Sequence, residues 1–441
     1  MQDQSGMNMI ILGAAGRDFH DFNVYWKHRT DRRVVAFTAT QIPDIDGRKY
    51  PPQLAGPRYA DGIPIVSEDT LESVIAEHGV QLAAMAYSDL SYAYVMGLAA
   101  RVNAAGAAFT MLAPKDTMIA ATKPVVAICA VRTGCGKSQT TRRISAILKQ
   151  RGKKVAVMRH PMPYGDLTRQ ICQRYESLDD LDRYQCTIEE REEYEPHIQA
   201  GNLLLAGIDY ERILDEAQKS ADVILWDGGN NDTPFVQPDL LICVTDPHRA
   251  GHECGYYPGE INLRLADAVV VNKVDTADPG AVERVLASVQ RINPRATVIQ
   301  AASPVTVDHP EMIRGKRVLV IEDGPTVTHG QMAYGAGHVA ARQFGAGQIV
   351  DPRPYATGSI RGVFEKYTHL TDVLPAMGYG KRQIRELEAT VERVDCDLVI
   401  VGTPIDLRRV IHISQPSVRV LYELDERDKN VLPELVKRAV G

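Results

Sequence analysis

Residues 125–150 read VVAICAVRTGCGKSQTTRRISAILKQ and carry the strongest structural signal in the chain. The apolar run Val125–Cys129 predicts a buried strand, and residues 140–150 have helical periodicity. Between them, residues 132–138 read Arg-Thr-Gly-Cys-Gly-Lys-Ser. A strand, a glycine-rich turn ending in Lys-Ser and a helix are typical of a phosphate-binding loop. This stretch therefore predicts an α/β fold that binds a nucleotide where the strand ends.

The loop offers several groups to a nucleoside triphosphate. Backbone N–H groups and the positive end of the helix dipole predict contacts from Thr133, Gly134, Cys135, Gly136, Lys137, Ser138 and Gln139. Lys137 is expected to reach the β- and γ-phosphates, and Ser138 to coordinate Mg²⁺. The general pattern G-x4-G-K-[ST] has glycine where this chain has Val131. The K-G-G-x-G-K-[ST] form of the SIMIBI class of P-loop proteins resembles the loop more closely. Arg132 then stands at the signature-lysine position and is predicted to act on a phosphate as an arginine-finger analogue.

A carboxylate for the metal is expected on a neighbouring strand. Residues 223–226 are four apolar residues, and Asp227 follows them directly. Because ligands bind at the carboxyl ends of strands in open α/β sheets, Asp227 is predicted to hold Mg²⁺ together with Ser138. Glu253 is a possible further carboxylate of that metal site.

The base is expected near Asn272, Lys273 and Asp275, which follow the predicted strand 268–271. They match the N-K-x-D element of GTPases, in which the carboxylate recognises guanine, the asparagine contacts the base or the loop, and the lysine stem packs on the base. The D-x-x-G switch of GTPases is missing, because residues 227–230 read Asp-Gly-Gly-Asn. ATP and GTP therefore both remain candidate substrates.

Four basic residues follow other predicted strands of the same block: Arg159, His160, His248 and Arg249. Their positions predict an anion-binding wall for a second, phosphorylated or carboxylated substrate. Glycines in the turns at residues 322–330 and 402–409 would allow close backbone approach to a ligand, and Arg353 in the turn at residues 351–355 suits an anion; alternatively, all three are plain turns. The acidic run from Glu189 to Glu195 predicts a solvated helix face.

Composition limits the function classes. The 441 residues have 50 Lys and Arg against 56 Asp and Glu, so the formal net charge of −6 argues against a general nucleic-acid binder. Seven cysteines without a CxxC pair argue against a disulfide framework and a structural zinc site. No apolar run approaches the roughly 18 residues of a membrane span, and no signal peptide is recognisable. We therefore expect a cytoplasmic protein without a membrane partner.

Short apolar runs alternate with helical patterns throughout, which predicts parallel sheets in three blocks. Residues 1–118 are expected to form a Rossmann-like domain, although Gly13-Ala14-Ala15-Gly16 departs from G-x-G-x-x-G. Residues 119–310 are expected to form a doubly wound P-loop NTPase domain. Residues 311–441 form a C-terminal α/β region that either folds alone or extends the middle sheet.

Several longer stretches of the sequence, in addition to the phosphate-binding loop, resemble those of a known family. Residues 11–18, 132–140, 246–262 (DPHRAGHECGYYPGEIN), 272–275 and 322–326 resemble the cyclic 2,3-diphosphoglycerate synthetases, whose members are often labelled predicted GTPases. The resemblance extends over nearly the whole chain. It implies ATP-driven closure of a phosphoanhydride between the two phosphates of 2,3-diphosphoglycerate, or of a related substrate, with release of ADP and phosphate. Lys137, Ser138, Asp227 and Mg²⁺ would then stabilise the transferred group, and the four basic residues would hold the acceptor phosphates.

Two other functions remain open at this stage. The N-K-x-D element favours a GTPase of the regulatory or metal-chaperone type. A nucleotide-gated scaffold with negligible turnover is the second alternative. In each case the partners are a nucleotide and, for the ligase, a small phosphorylated substrate, and a SIMIBI-type loop predicts a homodimer.

Overall fold

A computed structural model describes residues 6–39, 45, 47–160, 165–229, 232–378 and 380–441. Their strands form three mainly parallel sheets that follow one another along the chain, each with helices packed against it, and one two-stranded antiparallel sheet. The α/β class predicted from the alternating pattern is therefore confirmed. Among the described helices, none has the length and apolar character needed to cross a bilayer.

The first sheet has the strand order β3-β4-β2-β1-β5-β7. The strands of this part of the chain are β1 (Met7–Leu12), β2 (Arg32–Ala39), β3 (Lys49–Tyr50), β4 (Ile63–Ser67), β5 (Leu82–Met85), β6 (Leu90–Ser91) and β7 (Ala108–Met111). Its helices are α1 (Arg17–Asp21), α2 (Pro52–Ala55), α3 (Leu71–His78) and α4 (Tyr92–Ala104). Only the short β3 pairs antiparallel within this sheet.

The second sheet contains the predicted phosphate-binding loop between β8 and α5. Its part of the chain has the strands β8 (Val125–Ala130), β9 (Val155–Arg159), β10 (Gln173–Tyr175), β11 (Leu203–Ala206), β12 (Val223–Trp226), β13 (Leu240–Thr245), β14 (Tyr256–Tyr257), β15 (Ala268–Val271) and β16 (Thr297–Ala302). The helices are α5 (Lys137–Gln150), α6 (Leu178–Arg183), α7 (Ile188–Gln199), α8 (Tyr210–Ser220), α9 (Gly259–Leu265) and α10 (Pro279–Ile292). β8 lies between β12 and β13, at the centre of a fully buried parallel core.

The third sheet is formed by residues 305–422 and has its own apolar core. The remaining strands are β17 (Val305–Val307), β18 (Arg317–Asp323), β19 (Gln348–Ile349), β20 (Leu374–Ala376), β21 (Leu398–Gly402), β22 (Ser417–Tyr422) and β23 (Asp425–Glu426). The helices are α11 (Gly324–Val327), α12 (Ala336–Gln343), α13 (Ser359–Lys366), α14 (Lys381–Arg393) and α15 (Val431–Val440). β23 pairs with β16, and α15 packs its apolar face on the core of the second sheet. The end of the chain thus returns to the middle of the molecule, while the boundaries at 118 and 310 stay predictions.

Buried polar contacts join the first block to the second. Arg17 lies 3.3 Å from Asp232 and donates to the carbonyl of Thr233 over 2.8 Å. His20 stacks on Phe235 with ring centroids 4.0 Å apart. A Cβ on Gly16 would overlap the ring of His160, so glycine allows the first helix to approach the second sheet this closely. These contacts place the start of the first sheet's helix α1 beside the loops of the second sheet.

Candidate functional site

The loop after β8 has the conformation of a phosphate cradle. Gly134 and Gly136 have φ angles of +83° and +108°, a region that residues with a Cβ rarely adopt. A Cβ on Gly136 would also overlap the side-chain amide of Asn272. Val131, which departs from the general pattern, directly follows β8 and donates its N–H to the carbonyl of Val244 over 3.0 Å, so hydrogen bonding to β13 extends one residue beyond the strand.

The predicted base-recognition residues hold the loop itself. Asn272 donates from Nδ2 to the carbonyl of Cys135 over 2.9 Å, and Lys273 donates to the carbonyl of Gly134 over 2.7 Å. Asp275 is exposed and accepts a hydrogen bond from the N–H of Ser303 over 3.2 Å. Asn272 and Lys273 therefore tie the nucleotide loop to the end of β15.

Asp227, at the end of β12, is the centre of a buried charge cluster. Its Oδ1 lies 2.7 Å from the amino group of Lys137, and its Oδ2 lies 2.9 Å from Arg159 and 2.7 Å from Nε2 of His197. Burial raises the pKa of Asp227, but Lys137 and Arg159 outweigh burial and hold that pKa well below its usual range. Asp227 is therefore ionised and fixed in place by cations.

The residues present fit a magnesium nucleotide in part. Lys137 and Ser138 both line the cavity at the loop, as a triphosphate and its cation require. Asp227 already uses both oxygens, because Thr141 also donates to Oδ1 over 2.8 Å. Asp227 would be freed toward Mg²⁺ when Lys137 moves to the phosphates. Glu253 instead accepts from the N–H of Gly251 over 2.7 Å and does not line this cavity. Within the described ranges no three His, Cys, Asp or Glu side chains cluster as metal ligands.

Arg132 is enclosed by other protein groups. Its Nε lies 2.5 Å from Asp89 of the first block, and Nη1 lies 2.7 Å from Nδ1 of His252. The guanidinium also stacks 3.7 Å from the ring centroid of Tyr256 and donates to the carbonyl of His329. Arg132 thus connects all three blocks beside the loop. Its action on a phosphate stays a prediction, and it would require Arg132 to leave Asp89.

The four basic residues predicted to bind an acceptor do not form one wall. Arg159 pairs with Glu193 and Asp227, and His160 lies 3.1 Å from Asp232. The other two lie across the loop from this pair, where His248 contacts Thr276 and Arg249 donates to the carbonyl of Gly330 over 2.6 Å. Of the four, only His248 lines the cavity at the nucleotide loop. Residues 161–164, which follow His160, lie outside the described residues.

A cavity of about 220 Å³ separates the nucleotide loop from the third sheet. Its loop side contains Arg132, Lys137 and Lys273, and its far side contains the strand ends of β18 and β21. Two of the three late turns singled out from the sequence, at 322–330 and 402–409, contribute to the lining, whereas the turn at 351–355 does not. The cavity thus has room for a second ligand opposite the phosphates.

Five carboxyl groups, on α7 and at the end of β18, form an acidic wall of the cavity: Glu189, Glu192, Glu193, Glu322 and Asp323. The expectation of a solvated face for residues 189–195 is wrong, because Glu189, Glu190, Glu192 and Glu195 are all buried. The physical reason is that α7 lies between two sheets. Its Ile188 belongs to the core of the third sheet, and its Glu195 pairs with Arg409 over 3.0 Å.

Several site residues were missed by the sequence analysis. Asp89 has a φ of +60° and accepts from both Arg132 and the N–H of Thr133, but nothing near it in the sequence marks it. His197 supports Asp227 from within the acidic helix α7. The available signal was the pair Thr187 and Glu190, which forms a capping box and places a helix start at the acidic run. It predicts the helix, but not that the helix is buried.

Comparison with known proteins gives a relative over nearly the full length. No family model matches the chain. The arginine synthetase ArcE of Thermococcus kodakarensis is 59% identical over 437 residues, which cover 99% of this chain and 98% of that protein. The cyclic 2,3-diphosphoglycerate synthetase of Pyrococcus furiosus is 29% identical over 99 residues, which cover 21% of this chain and 23% of that protein. Among solved structures, LpxK of Aquifex aeolicus aligns with 84% of this chain and all of that chain, at 12% identity and a TM-score of 0.45.

The family resemblance drawn from the sequence is confirmed only in part. The match to a cyclic 2,3-diphosphoglycerate synthetase covers 21% of the chain instead of nearly all of it. The alignment with the arginine synthetase covers 99% of the chain, at 59% identity. The similarity to the diphosphoglycerate enzyme is therefore limited to about a fifth of the chain.

Proposed function

The chain belongs to the family of the arginine synthetase ArcE, and on this premise we propose that it is a nucleotide-dependent ligase that forms a carbon–nitrogen bond of arginine. The observation that carries the proposal is the charge of the cavity. Cations line it at the loop, where phosphates would bind, and five carboxyl groups of α7 and the end of β18 form the acidic part of its wall. A second substrate or product with a positive charge fits that wall, whereas a bisphosphate would meet carboxylates at close range.

The chemistry needs phosphoryl transfer. A guanidinium is made from a ureido group by replacing the carbon-bound oxygen with nitrogen, and that oxygen leaves only after it has been activated. The γ-phosphoryl group would pass from ATP to the ureido oxygen, ammonia would form the new carbon–nitrogen bond, and orthophosphate would leave with the original oxygen. The balance is one ATP, one ureido amino acid and one ammonia consumed, and one ADP, one phosphate and one arginine released.

The chain's own groups have defined tasks in this scheme. Lys137 leaves Asp227 to neutralise the transferring phosphoryl group, and the glycines of the loop direct backbone N–H groups at the phosphates. Ser138 and Asp227 would hold Mg²⁺, which supplies charge neutralisation between the phosphates. The facing wall positions the acceptor, so both reactants share one enclosed space.

The test is to incubate the full chain with MgATP, ammonium and the ureido analogue of arginine, and to measure arginine, ADP and phosphate together. We expect equal amounts of the three products. Lys137→Ala should lower the rate by about 100-fold or more, because it removes a charge from the transition state. The control Lys154→Ala changes an exposed lysine of the same block and should be neutral. Absence of arginine, with a cyclic pyrophosphate forming from 2,3-diphosphoglycerate instead, would reject the proposal.

A GTPase is the second candidate, and one observation favours it. Asn272 and Lys273 bind the loop at a strand end, and Asp275 stands beside Ser303 with an exposed carboxylate. If guanine is the base, Asp275→Ala should weaken MgGTP binding by about 10-fold or more and leave MgATP unchanged. If ATP is the substrate, the wild type should bind MgATP more tightly than MgGTP, and Asp275→Ala should retain this preference for MgATP. A scaffold without turnover would show nucleotide binding and no phosphate release.

A further inference from the structure

The acidic wall contains one buried side chain whose neighbour is another carboxyl group and not a cation. Glu192 is only 4% exposed and lines the cavity; among the described residues no cation or N–H group pairs with its carboxyl group, whose hydrogen-bonding neighbour is the carboxyl group of Asp323. Buried carboxyl groups are almost always hydrogen-bonded or paired with a cation. A buried pair of carboxyl groups without a cation, at the wall of a cavity, therefore offers a binding site for a cationic ligand.

The other carboxyl groups of the wall differ from Glu192. Glu322 accepts from the backbone N–H groups of Gly335, Gly337 and His338, so it caps α12. Glu193 is paired with Arg159, which links it to Asp227. Asp323 caps the start of α11 through Thr326, and its carboxyl group adjoins that of Glu192. Burial and this neighbour together raise the pKa of Glu192 well above its usual value.

We propose that Glu192 and Asp323 form a subsite for the guanidinium group of arginine. The inference rests on the proposed function, because it assigns the cationic group of that reaction to two side chains. A guanidinium has five N–H donors in a planar fork and binds carboxylates in pairs of hydrogen bonds. It would supply donors to both oxygens of Glu192 and a positive charge between two adjoining carboxyl groups.

The position of the subsite agrees with the chemistry. Glu192 and Glu193 are consecutive on α7. Glu193 is paired with Arg159, Arg159 with Asp227, and Asp227 with Lys137, so a chain of ion pairs connects α7 to the nucleotide loop. The guanidinium carbon is the atom at which the new bond forms, so it has to lie near the phosphoryl group held by Lys137. The loop and Glu192 line the same cavity, which places both groups within one enclosed volume.

The experiment compares the binding of arginine and of its ureido analogue by titration calorimetry, without nucleotide. The two compounds share the α-amino acid end, so only the guanidinium differs. In Glu192→Gln we expect arginine to bind about 10-fold or more weakly than to the wild type, and the ureido analogue to change by less than about 3-fold. Asp323→Asn should show the same selectivity, since its amide oxygen can still cap α11. Glu195→Gln is the matched control, because Glu195 is a buried glutamate of α7 that pairs with Arg409 and lies outside the cavity lining.

The outcomes distinguish a failure of the guanidinium subsite from a failure of the proposed arginine synthesis. If Glu192→Gln weakens both compounds equally, the wall binds the α-ammonium group and the assignment is wrong. If arginine binds the variant as it binds the wild type, the subsite is rejected, even where arginine is still synthesised. Lys137→Ala should lose turnover and keep arginine affinity. If the wild type binds no arginine and makes none, the proposed function itself fails. Melting temperatures of each variant show whether a loss of binding follows from unfolding.

Discussion

The amino group of Lys137 lies 2.7 Å from Oδ1 of Asp227 and 3.0 Å from the backbone carbonyl of the same residue. Two groups that the sequence assigned separately to the phosphates and to the metal thus bind each other. Both are buried, and burial lowers the pKa of Lys137 whereas Lys137 lowers the pKa of Asp227. Nucleotide binding must replace this ion pair by contacts between Lys137 and the phosphates. Until then, Asp227 compensates the charge of Lys137 within the site.

Replacing Asp227 by asparagine should destabilise the fold. Lys137, Arg159 and His197 would lose the carboxylate that all of them contact, and a buried uncompensated charge costs about 3–5 kcal/mol. Urea denaturation of Asp227→Asn and wild type measures the difference in the free energy of unfolding. Asp215→Asn, on the exposed face of α8, is the control and should change stability by less than about 0.5 kcal/mol. Equal stability of the two variants would contradict the described cluster.

A methyl group at Gly136 should weaken nucleotide binding. Gly136 has a positive φ and faces the amide of Asn272, whereas Gly152 has a φ of +74° with no atom near its Cβ position. Gly136→Ala and Gly152→Ala therefore share the backbone strain, of about 1–2 kcal/mol, and differ in the clash. We expect the affinity for MgATP or MgGTP to fall by about 10-fold or more only in Gly136→Ala. Fluorescent-nucleotide titration checks this, and a similar fall in Gly152→Ala would attribute the loss to stability alone.

Replacing only Asp89 of the buried ion pair with Arg132 should destabilise the fold more than replacing both residues. Asp89→Asn leaves the guanidinium of Arg132 with less compensating charge, at an expected cost of about 3–5 kcal/mol. The double variant with Arg132→Met should recover part of this stability, because no unpaired charge remains. The exposed pair of Arg29 and Asp31 is the control, and Asp31→Asn should leave the free energy of unfolding close to that of the wild type. Additive effects in the cycle would show that the two side chains do not interact.

The carboxyl group of Asp21 should make stability fall as pH rises. Burial raises the pKa of Asp21 to about 7, against the opposing charge of Arg17, and Oδ1 has no described partner. A folded-state pKa above the unfolded value means that the native state binds the extra proton. This contribution to stability is therefore complete below about pH 4 and is lost as pH rises through about 7.

Asp21→Asn cannot ionise and should not show this loss. Relative to wild type, we expect the variant to gain up to about 4 kcal/mol between pH 4 and pH 8, measured by denaturant unfolding at several pH values. Asp61→Asn changes an exposed aspartate of the same block and should follow the wild-type profile. A variant profile parallel to that of the wild type would mean that Asp21 ionises normally in the folded state.

The strands and the loop were predictable because their signals are local. The runs at 223–226 and 268–271 form β12 and β15 with the predicted bounds, and the helix predicted at 140–150 is α5, which starts three residues earlier at Lys137. Strands with weaker patterns, such as β11 and β22, were not recognised, although both lie in the sheets. The homodimer, the cytoplasmic location and the absence of nucleic-acid partners stay predictions.

The amino-acid sequence by itself determined the parallel α/β class, the nucleotide loop and the carboxylate at the end of β12, because each depends on residues within one short window. The tertiary structure alone decided which groups face each other across the cavity. Glu192 on α7 meets Asp323 on β18, although 130 positions separate them, because α7 packs between the second and third sheets. Packing over such separations depends on shape and on the burial of whole faces, which no local pattern encodes. For this reason the acidic run 189–195, predicted from the sequence to be solvent-exposed, forms part of the cavity wall.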